Sequence, residues 1–160
     1  MKRLFPAIAL LLLISGCAAR NKTVTNLPTN VTLAQVQNWD TAVADLDRFS
    51  TAITTARQTV ISLNKQGVFP DGPQYIATLN GLGRADQLEV EAATFLKGVP
   101  NDWSQSTQSE FSAYVTQISA ALSDIVKQGT VGIKNPTSQQ QVVALISNAA
   151  AIIGIVLSLS

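Results

Sequence analysis

The 160-residue sequence contains no histidine and only one cysteine, Cys17. Without histidine, the chain lacks the general base of Ser-His-Asp and Cys-His nucleophile systems and the most common metal ligand. With one cysteine, it cannot form an intramolecular disulfide, so its stability depends on packing alone. These absences exclude most hydrolytic and zinc chemistry, and we expect neither catalysis nor a bound metal or cofactor.

Charged residues are also scarce, at 13% of the chain, with eleven basic and ten acidic side chains. Lys2 and Arg3 stand at the start of the chain, so the remainder carries nine basic residues against ten acidic ones. A near-neutral chain without a basic cluster does not attract a phosphate backbone, and we expect no nucleic-acid partner.

The first 16 residues have the three parts of a secretory signal peptide. Lys2 and Arg3 form a basic start, residues 4–14 form an apolar core, and Ser15-Gly16 provides small residues at its end. The apolar core is too short to span a bilayer as a mature helix. The pattern predicts that residues 1–16 are cleaved.

The sequence Ile14-Ser15-Gly16-Cys17 resembles the lipobox of bacterial lipoproteins, a likeness that covers only the first 17 residues. It implies that Cys17 carries an S-diacylglycerol group and an N-acyl chain such as palmitate, and becomes the mature amino terminus. Several acyl chains make such an anchor effectively permanent. Ala18 stands where an aspartate resembles an inner-membrane retention signal, which favours the outer membrane, facing the periplasm, in a Gram-negative cell. The alternative is an ordinary signal peptide followed by a coincidental cysteine.

Residues 17–30 are polar, lack periodicity and are interrupted by Pro28, so they predict a tether behind the lipid. Residues 31–160 predict a single helical domain, since glycine and proline breaks separate four helical patterns and no strand-like alternation competes. We predict an all-α, antiparallel four-helix bundle with helices at about 32–66, 73–97, 103–128 and 136–159.

Two of these helices carry coiled-coil-like apolar seams with spacings of three and four residues. Thr32 and Gln35 have the spacing of a capping box, and Asn135 with Pro136 predicts the start of the fourth helix. The first seam comprises Trp39, Ala42, Leu46, Phe49, Ile53, Ala56, Val60 and Leu63, and the third helix's seam comprises Phe111, Val115, Ile118, Leu122 and Ile125.

Gly81 and Gly83 lie in the middle of the predicted second helix. Each glycine costs about 1 kcal/mol relative to alanine in a helix interior. The pair therefore indicates a kink, a break or a close approach of another helix.

The predicted fourth helix has no charged residue between positions 135 and 160 and meets the length criterion for a membrane span. Lys127 and Lys134 precede it on the exported side, which is the reverse of the positive-inside pattern. The sequence favours a central helix buried by the other three, with membrane insertion or burial in an oligomer as alternatives. One stripe of small and polar residues faces water or a close partner: Gln140, Ala144, Ser147, Ala151, Gly154 and Ser158.

The polar residues offer few candidate sites. Asp86 and Glu89 share a helix face and form the one carboxylate pair that merits a test as an acid/base couple, although a solvated face is the favoured interpretation. Trp103, in a predicted loop, is the best candidate for an exposed contact. The remaining expectations are surface pairs Asp45–Arg48 and Asp124–Lys127, and core or rim positions for Trp39, Tyr75 and Tyr114.

Together these observations predict a membrane-anchored bacterial envelope lipoprotein with a non-enzymatic structural or protein-interaction role. Its expected partners are the membrane, through the lipid anchor, and an envelope protein or a second copy of the chain. Two alternatives stay open: a membrane-active or transport-associated protein that inserts its fourth helix, and a carrier of an apolar ligand between helices.

Overall fold

A computed structural model describes residues 31–159, except for the side chain of Val131. Within this range the chain is all-α, as predicted, and contains no strand. The main helices are α1 (Leu33–Lys65), α2 (Pro73–Gly98), α3 (Gln105–Asp124) and α4 (Pro136–Leu157). A π-helix (Ile125–Gly129) and a 3₁₀-helix (Thr130–Gly132) follow α3 directly.

Both ends of α1 are determined by local hydrogen bonds. The predicted capping box is present: the Thr32 hydroxyl accepts from the Gln35 amide at 3.3 Å, and the Thr32 amide donates to the Gln35 side chain at 2.8 Å. At the other end, Gly67 has φ 71°. The Gly67 amide donates to Asn64 and the Val68 amide to Leu63, which is the Schellman arrangement that ends a helix at a left-handed glycine.

The amino terminus of α4 is also capped as predicted. The Asn135 side chain accepts hydrogen bonds from the Thr137 and Ser138 amides at 2.9 and 3.2 Å, and Pro136 occupies the first turn. The start of α3 is different, because the Ser104 side chain caps no amide of this helix. Instead, the Asp102 carboxylate accepts from the Ser104 amide at 2.9 Å, so the loop is ordered ahead of the helix.

The predicted seams form one hydrophobic core. The five seam residues predicted for the third helix are all buried, four of them in α3 and Ile125 in the π-helix that follows. In α1 every seam residue is buried except Trp39, which is half-buried. The α4 helix contributes a matching row spaced by three and four residues: Val142, Ile146, Ala149, Ile153 and Val156. The periodicity therefore identified the inward faces of the first and third helices correctly.

The four helices form a bundle in which each packs along two neighbours: α1 along α2 and α4, and α3 along α2 and α4. Two hydrogen bonds tie helix ends together. The Trp39 indole, near the start of α1, donates to the Leu96 carbonyl near the end of α2 at 3.1 Å. The Lys134 amide, just before α4, donates to the Val68 carbonyl, just after α1, at 3.2 Å.

The α2 helix runs unbroken through both of its central glycines, so a break at this point is wrong and a close approach is the explanation. A Cβ atom at Gly81 would lie 2.5 Å from Cγ1 of Ile125, whereas a Cβ at Gly83 would meet nothing within 4 Å. A second close approach lies nearby, because a Cβ at Gly129 of the π-helix would overlap the Thr78 hydroxyl. Gly81 and Gly129 therefore allow α2 and the end of α3 to approach closely.

Candidate functional site

Cys17, the predicted lipidation site, lies outside the described residues, as do the predicted signal peptide and the whole of the tether, residues 17–30. Its acylation remains a prediction from the lipobox resemblance. The structure bears instead on the polar side chains of the helical domain and on the apolar α4 helix.

The predicted Asp86–Glu89 pair is not a solvated face. Glu89 is 7% exposed, and Asp86 is half-buried. Glu89 lies on the inward row of α2 and opens into a cleft of about 140 Å³ between α1 and α2. The cleft also brings in Asp47 of α1 and Lys97 of α2, residues that the sequence did not connect with Glu89.

Burial raises the pKa of the Glu89 carboxyl, and the negative charges of Asp86 and Asp47 raise it further, while Lys97 acts in the opposite direction. Loss of water disfavours a charged carboxylate, and like charges nearby add to the cost of ionisation. Pockets for drug-sized ligands typically occupy about 300–1,000 Å³. The cleft is smaller, so it fits a single small group. Glycosidase-type acid/base chemistry needs room for a sugar unit between two carboxylates, and the cleft does not offer that room.

The burial of Glu89 has a signal in the sequence that the predicted seams do not include. Residues Leu82, Ala85, Glu89, Ala92 and Leu96 are spaced by three and four residues, and all five are buried. A carboxylate at a core position of an otherwise apolar row is an expensive placement unless it is paired. The same spacing places Asp45 between Ala42 and Phe49 on α1.

Both predicted surface pairs need correction. Asp45 does pair with Arg48, at 2.7 Å, but the Asp45 side chain is only 4% exposed while Arg48 is 64% exposed. The Arg48 guanidinium therefore compensates the charge of a buried carboxylate, and the pair is not a surface ion pair. Asp124 and Lys127 form no ion pair; within residues 31–159, Asp45–Arg48 is the one salt bridge.

The prediction that Trp103 is an exposed contact is wrong, because this side chain is 1% exposed. Its indole N–H donates to the Leu159 carbonyl at 3.0 Å, and its ring packs edge-to-face on Phe111 with centroids 5.5 Å apart. Carbonyls at the end of a helix lack intrahelical partners. The Trp103 indole donates a hydrogen bond to a carbonyl just beyond α4, and the Trp39 indole does the same near the end of α2.

The other aromatic expectations are confirmed. Tyr75 and Tyr114 are half-buried, like Trp39, and each packs against a phenylalanine. The ring centroids lie 5.4 Å apart for Tyr75 and Phe69, and 6.0 Å apart for Tyr114 and Phe95. These tyrosines occupy the rim of the core.

The α4 helix is not a central helix buried by the other three, because it packs along α1 and α3 and has no extended interface with α2. The most apolar 18-residue window of α4 has a mean hydropathy of 1.9, and 28% of this window is buried. Its length and composition suit a membrane span, a test that core helices of soluble proteins also pass. The predicted stripe of small and polar residues is exposed throughout, and Ile155 beside it is 56% exposed.

Two wider clefts lie between helices on the outer surface. One, of about 280 Å³, separates α3 from α4 and includes Leu122, Val126 and Ile146. The other, of about 480 Å³, separates α2 from α3 and includes Phe95 and Tyr114. Residues 31–159 contain no group of three or more acidic side chains placed to hold a metal ion.

Comparisons with protein-family models, curated proteins and solved structures find no match to this chain. The class that the structure itself defines is an all-α protein with four main helices in a bundle.

Proposed function

We propose that this protein is a bacterial envelope lipoprotein, anchored through acyl chains on Cys17, with a non-enzymatic structural or protein-interaction role. The observation that carries the proposal is the sequence Ile14-Ser15-Gly16-Cys17, placed directly after a basic start and an apolar core. A helical domain with a continuous core suits such a role, because it presents long outer helix faces to a partner.

The anchor is tested by metabolic labelling with a fatty acid. We expect the wild-type chain to incorporate label and Cys17→Ser to incorporate none, since the thiol is the acceptor. Ala18→Ser is the matched control and should be labelled normally. Equal labelling of wild type and Cys17→Ser would refute the proposal.

The proposed location is the outer membrane, facing the periplasm, in a Gram-negative cell. It rests on Ala18, which stands where the family places an aspartate for inner-membrane retention. Ala18→Asp should therefore move the protein to the inner-membrane fraction of an enterobacterial host, while Ala18→Ser stays in the outer-membrane fraction. Unchanged fractionation of Ala18→Asp would count against this assignment.

We further propose that the bundle is antiparallel, with helices alternating in direction. Three observations support it: the Trp39–Leu96 hydrogen bond, the Lys134–Val68 hydrogen bond, and the approach of Gly81, in the first half of α2, to Ile125, which directly follows α3. Short connections between consecutive helices favour the same topology. Engineered cysteine pairs across α1 and α2 in a Cys17→Ser background should crosslink when one lies early and the other late in its helix, and should not when both lie early or both lie late.

A second candidate function is membrane insertion of α4, which its mean hydropathy of 1.9 and exposed outer face favour. Insertion would separate α4 from α1 and α3, and so uncover the core row from Val142 to Val156. A Cys17→Ser protein exported behind a cleavable signal distinguishes the two functions. Retention in membranes after alkaline extraction supports insertion, and release supports a bundle held by its lipid alone.

A further inference from the structure

Glu89 is a buried carboxyl group for which the described part of the chain supplies no partner. It is 7% exposed and forms no hydrogen bond within residues 31–159. No basic side chain there lies within 4 Å of it, since the one ion pair is Asp45–Arg48. Within residues 31–159, every fully enclosed side-chain oxygen has a hydrogen-bond partner. The Glu89 carboxylate oxygens have no such partner, so they are not fully enclosed. They therefore open into the cleft.

The walls of the cleft suit the aliphatic stem of a ligand. Val43 and Leu46 of α1 and Ala93 of α2 line it with hydrocarbon, and Asp47 places a second carboxylate opposite Glu89. The volume of about 140 Å³ admits a narrow chain. The arrangement is an apolar slot with the buried Glu89 carboxyl inside and the exposed Asp47 carboxylate at its rim.

Lys97 is the one basic residue that lines the cleft, and it is exposed at the rim. It is too far from Glu89 and Asp47 to form a salt bridge with either. Lys97 therefore leaves the two carboxylates available, although its charge opposes the entry of another cation.

We propose that this cleft binds a primary ammonium group on an aliphatic stem, supplied by a lysine side chain of a protein partner. An entering ammonium compensates the buried Glu89 with charge-assisted hydrogen bonds, while the stem lies against the aliphatic walls. A free alkylamine shares this chemistry and differs only in its source. The inference rests on the proposed interaction role and names the chemistry of the partner.

The test is a titration of the ¹⁵N-labelled full mature chain in detergent micelles, followed by NMR. The probes are an acetylated, amidated alanine peptide with one central lysine, the same peptide with norleucine, and n-butylamine. We expect saturable shifts centred on residues 43, 89 and 93 with the lysine peptide and none with norleucine. Butylamine should bind no more tightly than the peptide.

Four variants determine whether the cleft is responsible. Glu89→Gln should weaken binding of the lysine peptide by about tenfold or more, the expected loss of a charge-assisted contact. Asp47→Asn should weaken it less. Glu91→Gln is the matched control on the exposed face of α2 and should bind as wild type does. Lys97→Met should bind more tightly, an effect that a purely structural role for Glu89 does not produce.

Three results would overturn the proposal. The first is the absence of saturable shifts in the wild type, and the second is equal binding of the lysine peptide by Glu89→Gln and Glu91→Gln. The third is binding of butylamine without binding of the peptide, a result that would assign the cleft to a free amine. Circular dichroism of each variant checks that it is folded. Fatty-acid labelling of Cys17 is measured separately, so the anchor and the cleft can fail independently.

Discussion

Replacing Gly81 with alanine tests the close approach of α2 to the end of α3. A Cβ atom at this position would lie 2.5 Å from Cγ1 and 3.0 Å from Cδ1 of Ile125, a side chain that is 3% exposed. Cγ1 is bonded to the Cβ atom of Ile125 and is not the far end of a flexible side chain, so the clash requires a shift of a buried side chain or of the helix. Gly83 lies two residues along the same helix and has open space at its Cβ.

The magnitudes follow from two opposing effects. Alanine in place of glycine stabilises a helix interior by about 1 kcal/mol, and this gain applies at both positions. Overpacking a core costs about 1–3 kcal/mol, and this cost applies only at Gly81. We therefore expect Gly83→Ala to stabilise the protein by about 1 kcal/mol, and Gly81→Ala to range from neutral to about 2 kcal/mol less stable than wild type.

Equilibrium urea unfolding, followed by circular dichroism, measures the difference. The midpoint should separate the two variants while the slope with urea stays constant, because the surface exposed on unfolding is unchanged. In an Ile125→Ala background the clash is absent, so Gly81→Ala should become stabilising, as expected for coupled neighbours. Equal stabilisation by Gly81→Ala and Gly83→Ala would show that no close approach exists.

Three further predictions concern polar groups. Glu89→Gln should raise the free energy of unfolding at pH 7, measured by urea unfolding, because a neutral amide avoids the cost of burying a charge. Because the folded-state pKa of Glu89 is raised, its protonation favours folding at low pH. The free energy of unfolding of the wild type should therefore fall as pH rises from about 4.5 through the folded-state pKa. The free energy of unfolding of Glu89→Gln should lack this decrease. Trp103→Phe should cost about 1–2 kcal/mol in thermal or urea unfolding through loss of the bond to Leu159. The hydrogen bond from the Ser104 amide lowers the pKa of the Asp102 carboxyl. Asp102→Asn should therefore be less stable than wild type at neutral pH, and the difference should vanish as pH falls through the folded-state pKa of Asp102. Equal stability of the two proteins at neutral pH would contradict this.

Helix positions and inward faces could be predicted because their signals are local and periodic. The capping box at Thr32, the Asn135–Pro136 start of α4 and the row from Phe111 to Ile125 all depend on residues a few positions apart. The predicted third helix, 103–128, begins instead at Gln105 and changes to a π-helix after Asp124. That change coincides with the approach of Gly129 to Thr78, a contact between distant parts of the chain.

The candidate site was predicted only in part. Asp86 and Glu89 were paired correctly as neighbours on one helix, but Asp47 and Lys97 join Glu89 through packing of α1 on α2. The burial of Glu89 was readable from its place between Ala85 and Ala92, because core spacing does not depend on side-chain polarity.

The sequence by itself determined that residues 31–159 form an all-α domain, where α1, α2 and α4 begin, and that the seams of the first and third helices turn inward, because hydrogen bonding and hydrophobic periodicity act within a few turns. The tertiary structure alone decided that Gly81 and not Gly83 faces another helix, that Trp103 is buried against the end of α4, and that α4 packs along α1 and α3 instead of lying at the centre of the bundle. Each of these depends on which helix lies alongside, and no spacing within a single helix carries that information.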